Sequence, residues 1–431
     1  MACRLCLRRV ELMDRMMSDL DKKTSKAKNA FLILSNAAES QKNLALSEIS
    51  KALSAYLEEI KQANPQELSP SGEDKKKLIE LGCLDRVIEY ISDIRRMPDL
   101  NGEIFDDQTL SNGLKLAKYR VPIGVLGYVL DTNPAALIRV AALAIKSGNP
   151  LIIWAGKETQ NTCYFLVKII QMGLEAADLP IESVQLLHSH DEEQLKDFVQ
   201  CKKSVDLVLL AGSASLTSFC QKNSLIPLIY ENKSVCHLYI DQLINSEKAL
   251  EVIHNAKMHE AETTYSLSTL LVHEAIADSF LPFLFKTLLD KGISLRLDDR
   301  GWNLFASCYL NLGNAQLAVL QDWDTAWHSN VLNIKLVKDM EEAIEHIHLH
   351  GAGSCDGILS DHPVHAMQFS SLVSSEVIMI NSSLRFLDEA SRGGEPETLI
   401  NLHKLRIPGP LALKELMSYK RLVQGNYHVC Q

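Results

Sequence analysis

The sequence predicts an α/β fold, with a doubly wound parallel sheet in the first half of the chain and a second α/β domain after it. Short apolar runs that suit buried strands alternate with amphipathic stretches that suit helices, first over residues 122–240 and again from residue 269. This alternation is typical of parallel strands joined by crossover helices. At 431 residues the chain is long enough for two or three domains.

The first half supplies its elements in a clear order. Residues 14–66 carry apolar side chains at three- and four-residue spacing, which predicts helices that end in the turn-rich "ANPQELSPSGED". Asn112-Gly113 then lies between two alternating segments and predicts a β-hairpin. Buried strands are predicted at "VPIGVLGYVL", "PLIIWAG", "SVQLLH", "VDLVLLAG" and "SVCHLYID", with the helical "PAALIRVAALAIKSGN" between the first two.

The second half repeats the pattern. It begins with the strand "TLLV" at 269–272 and the amphipathic "IADSFLPFLFKTLLDKGI". Strands follow at "VLNIKLV", "DGILS" and "EVIMIN", separated by the predicted helices "DMEEAIEHIHLH" and "HAMQFSSLVSS". The glycine-rich, charged "EASRGGEPE" at 389–397 predicts a loop, and "LMSYKRLVQGNYHV" predicts one last strand.

Composition narrows the possible partners. The chain is 46% hydrophobic and 23% charged, as globular proteins are, and its net charge of -10 leaves no basic excess for nucleic acid or anionic membranes. Small-molecule ligands are therefore expected, and the start of the chain predicts a cytoplasmic protein. The ten cysteines are scattered, which predicts reduced thiols, with Cys163, Cys220 and Cys308 in apolar runs of the core. No metal site is predicted.

Two strand ends carry candidate ligand-binding residues. Lys157 and Glu158 follow the strand "LIIW" directly, at the edge where open parallel sheets bind ligands. The alternative is an ordinary turn with a solvated lysine. Gly212 and Ser213 follow "LVLLA" and begin a helix, so that backbone amides there can face a phosphate. The alternative is an ordinary helix N-cap.

Two further polar segments are candidates for a metal site and for a catalytic loop. His346 and His350 lie one helical turn apart in "HIHLH", which suits a metal pair or, alternatively, a basic helix terminus before Gly351. The loop "MHEAETTYS" before "TLLV" offers carboxylates and hydroxyls, but it contains no thiol. A hydroxyl there would need a positioned base to act as a nucleophile, and sequence alone places none.

Taken together, many stretches resemble the gamma-glutamyl phosphate reductase family of the aldehyde dehydrogenase superfamily. The resemblance spans the chain and includes "QKNLALSEISKAL", "YRVPIGVLGYV", "KSGNPLII", "GKET", "IPLIYENKSVCHLYID", "TLLVHEAIADSFLP", "INSSLRF" and "LHKLRIPGPLAL". It implies an aldehyde dehydrogenase-like fold of two related doubly wound α/β domains plus a small β extension for oligomerisation. The implied segments are an NADPH-binding domain (1–102 and 122–235), a catalytic domain (236–388), oligomerisation strands (103–121 and 410–431), and a connecting and return segment (389–409).

The resemblance also implies a reaction and its partners. The family uses NADPH to reduce L-glutamyl 5-phosphate to L-glutamate 5-semialdehyde in proline biosynthesis, through a cysteine thioester. A homo-oligomer and a glutamate 5-kinase partner are expected. By resemblance, Lys157 and Glu158 border the adenosine ribose and its 2'-phosphate, while Gly212 and Ser213 line the cofactor cleft. A lysine at that position favours the more anionic NADPH.

The departures from the family pattern lie in its substrate pocket. Thr264 stands at the position of the catalytic cysteine. Asn133 and Ala135 replace two residues of the family's "RPN", which removes the amide expected to donate to the developing oxyanion, while Glu397 is retained. Two hypotheses remain open: the family reaction with weakened chemistry, and a non-catalytic member that binds a nucleotide or a protein partner.

Overall fold

A computed structural model describes most of the chain. The described residues are 18–55, 81–188, 191–230, 235–257, 266–308, 314–327, 329–351, 353–386 and 412–429. The chain divides into two compact units. The first unit comprises residues 1–231, 395–400 and 410–431, and the second unit comprises 232–394 and 401–409.

The first unit begins with a helical layer formed by α1 (Asp19–Leu34), α2 (Glu39–Ala55) and α3 (Leu81–Arg96). Ser18 is the N-cap of α1 and forms a capping box with Asp21. Two fully buried lysines have a carboxylate partner on or beside this layer: Lys42 of α2 binds Asp99 at 2.7 Å, and Lys146, which follows later in the chain, binds Glu39 of α2 at 2.9 Å. A buried ammonium needs such a partner to remain charged.

The core of the first unit is a five-stranded parallel sheet in the order β5-β4-β3-β6-β7. Its strands are β3 (Leu126–Leu130), β4 (Leu151–Ala155), β5 (Val184–Leu186), β6 (Leu207–Ala211) and β7 (Leu228–Tyr230). All five are buried, and the connecting helices are α4 (Ala135–Ser147), α5 (Gln160–Ala176), α6 (Glu192–Gln200) and α7 (Ala214–Asn223). Near-continuous apolar runs form these strands because both faces of a parallel sheet are covered.

A separate antiparallel sheet completes the first unit. Strands β1 (Ile104–Thr109) and β2 (Lys115–Pro122) form the hairpin predicted at Asn112-Gly113, and β15 (Met417–Gln424) pairs with β2 along its whole length. Gly113 has φ +89°, which is the conformation that favours glycine in tight turns. Apart from Met417, every residue of β15 is exposed.

The second unit contains a seven-stranded parallel sheet in the order β11-β10-β12-β9-β8-β13-β14. Its strands are β8 (Cys236–Ile240), β9 (Leu267–His273), β10 (Ser294–Leu297), β11 (Ala315–Leu317), β12 (Val331–Val337), β13 (Cys355–Leu359) and β14 (Val377–Ile380). The helices are α8 (Ser246–Lys257), α9 (Glu274–Asp290), α10 (Asp299–Cys308), α11 (Leu320–Trp323), α12 (Met340–His350) and α13 (Pro363–Leu372).

The α/β class and both doubly wound sheets are confirmed. Strands β7, β10 and β11, of three or four residues each, are not among the predicted strands. The prediction for Cys308 is wrong: it lies at the last residue of α10 with an exposed side chain, whereas Cys163 and Cys220 are buried as predicted. None of the described helices is long and apolar enough to span a bilayer.

Candidate binding site at the carboxyl edge of the first sheet

The order of the strands creates a crevice between β3 and β6. The chain runs outward from β3 through β4 to β5, then returns to β6 on the other side of β3 and continues to β7. The two strands at such a reversal send their connections to opposite faces of the sheet, and ligands of open α/β sheets bind beyond their carboxyl ends. Asp131 follows β3 at this point, and Gly212 and Ser213 follow β6.

Asp131 and Ser213 are joined by two hydrogen bonds across the crevice. The backbone amide of Ser213 donates to Asp131 Oδ1 at 2.9 Å, and Ser213 Oγ donates to Asp131 Oδ2 at 2.5 Å. Ser213 Oγ also accepts from the amide of Leu216, so that it is the N-cap of α7. The sequence predicts Ser213 as a residue of this edge but not Asp131, although Asp131 also lies directly after a buried strand.

Gly212 is required by the closeness of these groups. A Cβ atom at this position would lie 2.4 Å from Asp131 Oδ1 and 2.8 Å from Leu216 Cδ2. The glycine thereby allows the β6 to α7 turn to approach the end of β3, where the first amides of α7 have no acceptor within the helix. The Ser213 amide donates to Asp131 and the Leu216 amide donates to Ser213 Oγ, so the amides of Ala214 and Ser215 are the ones left to face an anionic group.

Lys157 and Glu158 lie on the same sheet edge, after the neighbouring strand β4. The turn is fixed because Gly156 donates to Leu130 O at 2.8 Å and Thr159 donates to Gly156 O at 3.0 Å. Both side chains are exposed, and neither forms an ion pair with another described residue. The ammonium and the carboxylate are therefore available to a ligand at the ends of β3 and β4.

Asn133 and Ala135 lie where β3 passes into α4. Asn133 is exposed, and its Oδ1 accepts from the amide of Ala135 at 3.2 Å, so that its side chain satisfies the start of α4. The structure therefore brings together six of the eight predicted site residues along one edge of one sheet. The other two, Thr264 and Glu397, lie outside the described residues.

Three buried thiols of the described chain, those of Cys163, Cys220 and Cys236, do not resemble nucleophiles. Burial raises the pKa of both Cys163 and Cys220 to about 12. Cys236 is fully buried within β8, as its strand position predicts. A thiol that stays protonated near neutral pH is a poor nucleophile, so Cys163 and Cys220 do not replace the missing cysteine.

The histidine pair of α12 is part of a packed cluster in the second unit. The His346 ring lies 4.5 Å from the His350 ring and 5.6 Å from the His237 ring, measured between centroids. Burial, followed by the nearby His237 and Lys335, lowers the pKa of His346 to about 2. Among the described residues, no group of three or more histidine, cysteine, aspartate or glutamate side chains is arranged to hold a metal ion.

Comparisons with known proteins match this architecture. The model of the aldehyde dehydrogenase family matches residues 8–294. The gamma-glutamyl phosphate reductase of Psychromonas ingrahamii is 36% identical over 409 residues, covering 93% of this chain and 97% of the relative. That of Vibrio atlanticus is 35% identical over 414 residues, covering 94% and 97%. The crystal structure of gamma-glutamyl phosphate reductase from Thermotoga maritima superposes with a TM-score of 0.89 at 29% identity, covering 96% of this chain and all of that one.

Proposed function

Because the chain belongs to the gamma-glutamyl phosphate reductase family within the aldehyde dehydrogenases, we propose that it binds NADP(H) at the carboxyl edge of the first sheet. We further propose that it carries out the family's reduction of L-glutamyl 5-phosphate to the semialdehyde with weakened chemistry. The observation that carries the proposal is the meeting of Asp131, Gly212 and Ser213 at the reversal point between β3 and β6.

The residues of this edge fit a dinucleotide. The Gly212 turn leaves no room for a Cβ, and the amides at the start of α7 suit a pyrophosphate. Lys157 would bind the 2'-phosphate of the adenosine ribose, and Glu158 would accept from a ribose hydroxyl. When bound, the dinucleotide would supply the hydride.

The nucleophile position argues for a lowered rate. Thr264 supplies a hydroxyl in place of a thiol, and the ester it would form accepts hydride less readily than a thioester. Ala135 offers no side-chain amide to the developing oxyanion, and the loss of one such donor typically costs about 100-fold to 1000-fold in rate. These two substitutions also favour the second candidate function, a family member that binds the nucleotide, or a protein partner, without turnover.

The proposal also includes a homo-oligomeric assembly and a partner enzyme. The three-stranded sheet leaves Tyr419, Leu422 and Val423 of β15 between 45% and 58% exposed, which supports a homo-oligomer that covers this sheet. A glutamate 5-kinase is the class of enzyme that would supply the acyl phosphate, and the cytoplasm would be the location of both proteins.

Cofactor binding is tested by titrating the full chain with NADPH and with NADH. We expect NADPH to bind more tightly, and we expect Lys157→Met to weaken NADPH about tenfold while leaving NADH nearly unchanged, since only NADPH carries the 2'-phosphate. Lys168→Met is the matched control, because Lys168 is an exposed lysine on α5. Absence of NADPH binding would contradict the proposal, and equal loss with both lysine variants would refute the assignment of Lys157.

Turnover is tested in the reverse direction, with glutamate semialdehyde, NADP and phosphate. A slow rate that Thr264→Ala abolishes would support the weakened reaction, whereas NADPH binding without any rate would support the non-catalytic member. Thr264→Cys should raise the rate, and adding Ala135→Asn should raise it about 100-fold further. If the double variant remains inactive, the substrate pocket has lost the family reaction by other changes.

A further inference from the structure

The second sheet has its own reversal point, between β8 and β13. The chain leaves β8 toward β9 on one side, and it later crosses to β13 on the other side. Asp241 follows β8 and Ser360 follows β13, and Ser360 Oγ donates to Asp241 Oδ2 at 2.6 Å. The first unit contains an equivalent hydrogen bond. There Asp131 follows β3, Ser213 follows β6, and Ser213 Oγ donates to the carboxylate of Asp131.

This second aspartate is closed to ligands. Asp241 is 1% exposed, and it also pairs with His365 Nδ1 at 2.7 Å and accepts from the amide of Gln242 at 2.8 Å. Ser360 and His365 bind the same carboxylate oxygen, so they do not form a relay in which the histidine would activate the serine. The network therefore positions the strand ends and does not itself react.

The side chain of Asn381 holds the backbone of Ser360 in place beside this network. Asn381, directly after β14, accepts from the Ser360 amide and donates to the Ser360 carbonyl, both at 2.9 Å. It holds φ +51°, which is uncommon for a residue other than glycine. Two loops are also tied together, because the Asp361 amide donates to Leu243 O at 2.8 Å.

A cavity of about 250 Å³ opens beside these fixed strand ends. Its lining includes one cation, Lys248 in the first turn of α8, and one carboxylate, Asp361. Neither side chain forms an ion pair with another described residue. The apolar part of the lining is formed by Ile244, Ala249, Val252 and Leu359.

We propose that this cavity binds a free apolar α-amino acid. The carboxylate of the ligand would pair with Lys248, its ammonium group with Asp361, and its side chain would contact Ala249, Val252 and Leu359. One cation and one carboxylate in a small cavity suit a zwitterion, because each charged group of such a ligand can meet an opposite charge there. The volume lies below the roughly 300–1,000 Å³ of typical drug-sized pockets, which excludes a dinucleotide.

The proposal is tested by calorimetric titration of the full chain with L-alanine, L-valine, L-leucine and L-phenylalanine. At least one of them should bind at millimolar concentration or below. N-acetyl-L-valine lacks the ammonium group and isobutylamine lacks the carboxylate, so both should bind at least tenfold more weakly than L-valine. If none of the four amino acids binds, or if either analogue binds as well as L-valine, the proposal is wrong.

Substitutions of cavity residues test whether the amino acid binds in this cavity. Lys248→Met and Asp361→Asn should each weaken the best amino acid at least tenfold, and both residues are exposed, so the fold should tolerate their replacement. Lys286→Met and Asp290→Asn change an exposed pair on α9, outside the cavity lining, and should leave binding unchanged. Binding that survives both cavity variants would place the ligand elsewhere and overturn the proposal. NADPH titration of the same variants keeps this result separate from the proposed function.

Discussion

Each parallel sheet has a serine-to-aspartate hydrogen bond at the point where its strand order reverses, but the two aspartates are buried to different depths. In the first unit, Asp131 is half-buried, and its partner Ser213 is also half-buried and is the N-cap of α7. In the second unit, Asp241 is 1% exposed and is enclosed by Ser360 and His365. The topology therefore selects the position of the pair, while the surrounding side chains decide how deeply the pair is buried.

Buried basic groups show a related difference. The first unit pairs Lys42 and Lys146 with carboxylates, at 2.7 Å and 2.9 Å. In the second unit, Lys257 donates to the carbonyls of Leu267 and Trp327, and burial lowers the pKa of Lys257 to about 7. Burial likewise lowers the pKa of His346. Lys257 and His346 of the second unit thus have reduced proton affinity, whereas Lys42 and Lys146 of the first unit each contact a carboxylate.

The largest effect is expected from Asp241→Ala. This change removes a buried carboxylate that satisfies Ser360, His365 and the amide of Gln242, and we expect it to destabilise the second unit by about 3–5 kcal/mol. Asp131→Ala removes the equivalent but more exposed carboxylate and should cost only about 1 kcal/mol. Hydrogen exchange of the β8 and β6 amides measures each unit separately. Equal losses would contradict the difference in depth, and the exposed Asp278→Ala on α9 should have no effect.

A smaller effect is expected from Lys42→Met in the first unit. The change leaves Asp99 without its ammonium partner, but Asp99 still accepts from the Asn101 amide and is 13% exposed. We therefore expect a loss of about 2–3 kcal/mol in unfolding free energy, measured by hydrogen exchange of α2. Lys51→Met on the same helix replaces a lysine that is 69% exposed, so it should cost less than about 0.5 kcal/mol. A stable Lys42→Met protein would show that the pair contributes little.

The smallest effect concerns the pH dependence of the second unit. The pKa of His346 is about 2 in the folded protein, and an unfolded histidine has a pKa near 6.5. Below about pH 6.5 the unfolded state therefore binds more protons, and the stability from this group is lost as pH falls, by up to about 1.4 kcal/mol per pH unit. His346→Phe should flatten this slope in hydrogen exchange of α12 between about pH 7 and 5. His348→Phe, at an exposed position of the same helix, should retain it.

Much of the candidate edge of the first sheet can be predicted from the sequence, because each of its residues follows a predicted strand or turn. Lys157 and Ser213 are predicted in this way. Asp131 lies in an equivalent position after β3, but the sequence does not single it out, because an acidic residue after a strand is common and has no motif of its own. The second reversal point was missed entirely, since Asp241 and Ser360 are 119 residues apart and neither belongs to a glycine-rich turn.

The sequence by itself determined the alternation of strands and helices, the hairpin at Asn112-Gly113 and the family, because hydrophobic spacing and local motifs depend on neighbours along the chain. Only the tertiary structure decided which strand ends meet, how deeply each aspartate is buried and which basic groups have carboxylate partners. Those properties depend on side chains that are distant in sequence: Asp131 and Ser213 are 82 residues apart, and hydrogen-bond partners and burial arise only when the sheet is assembled.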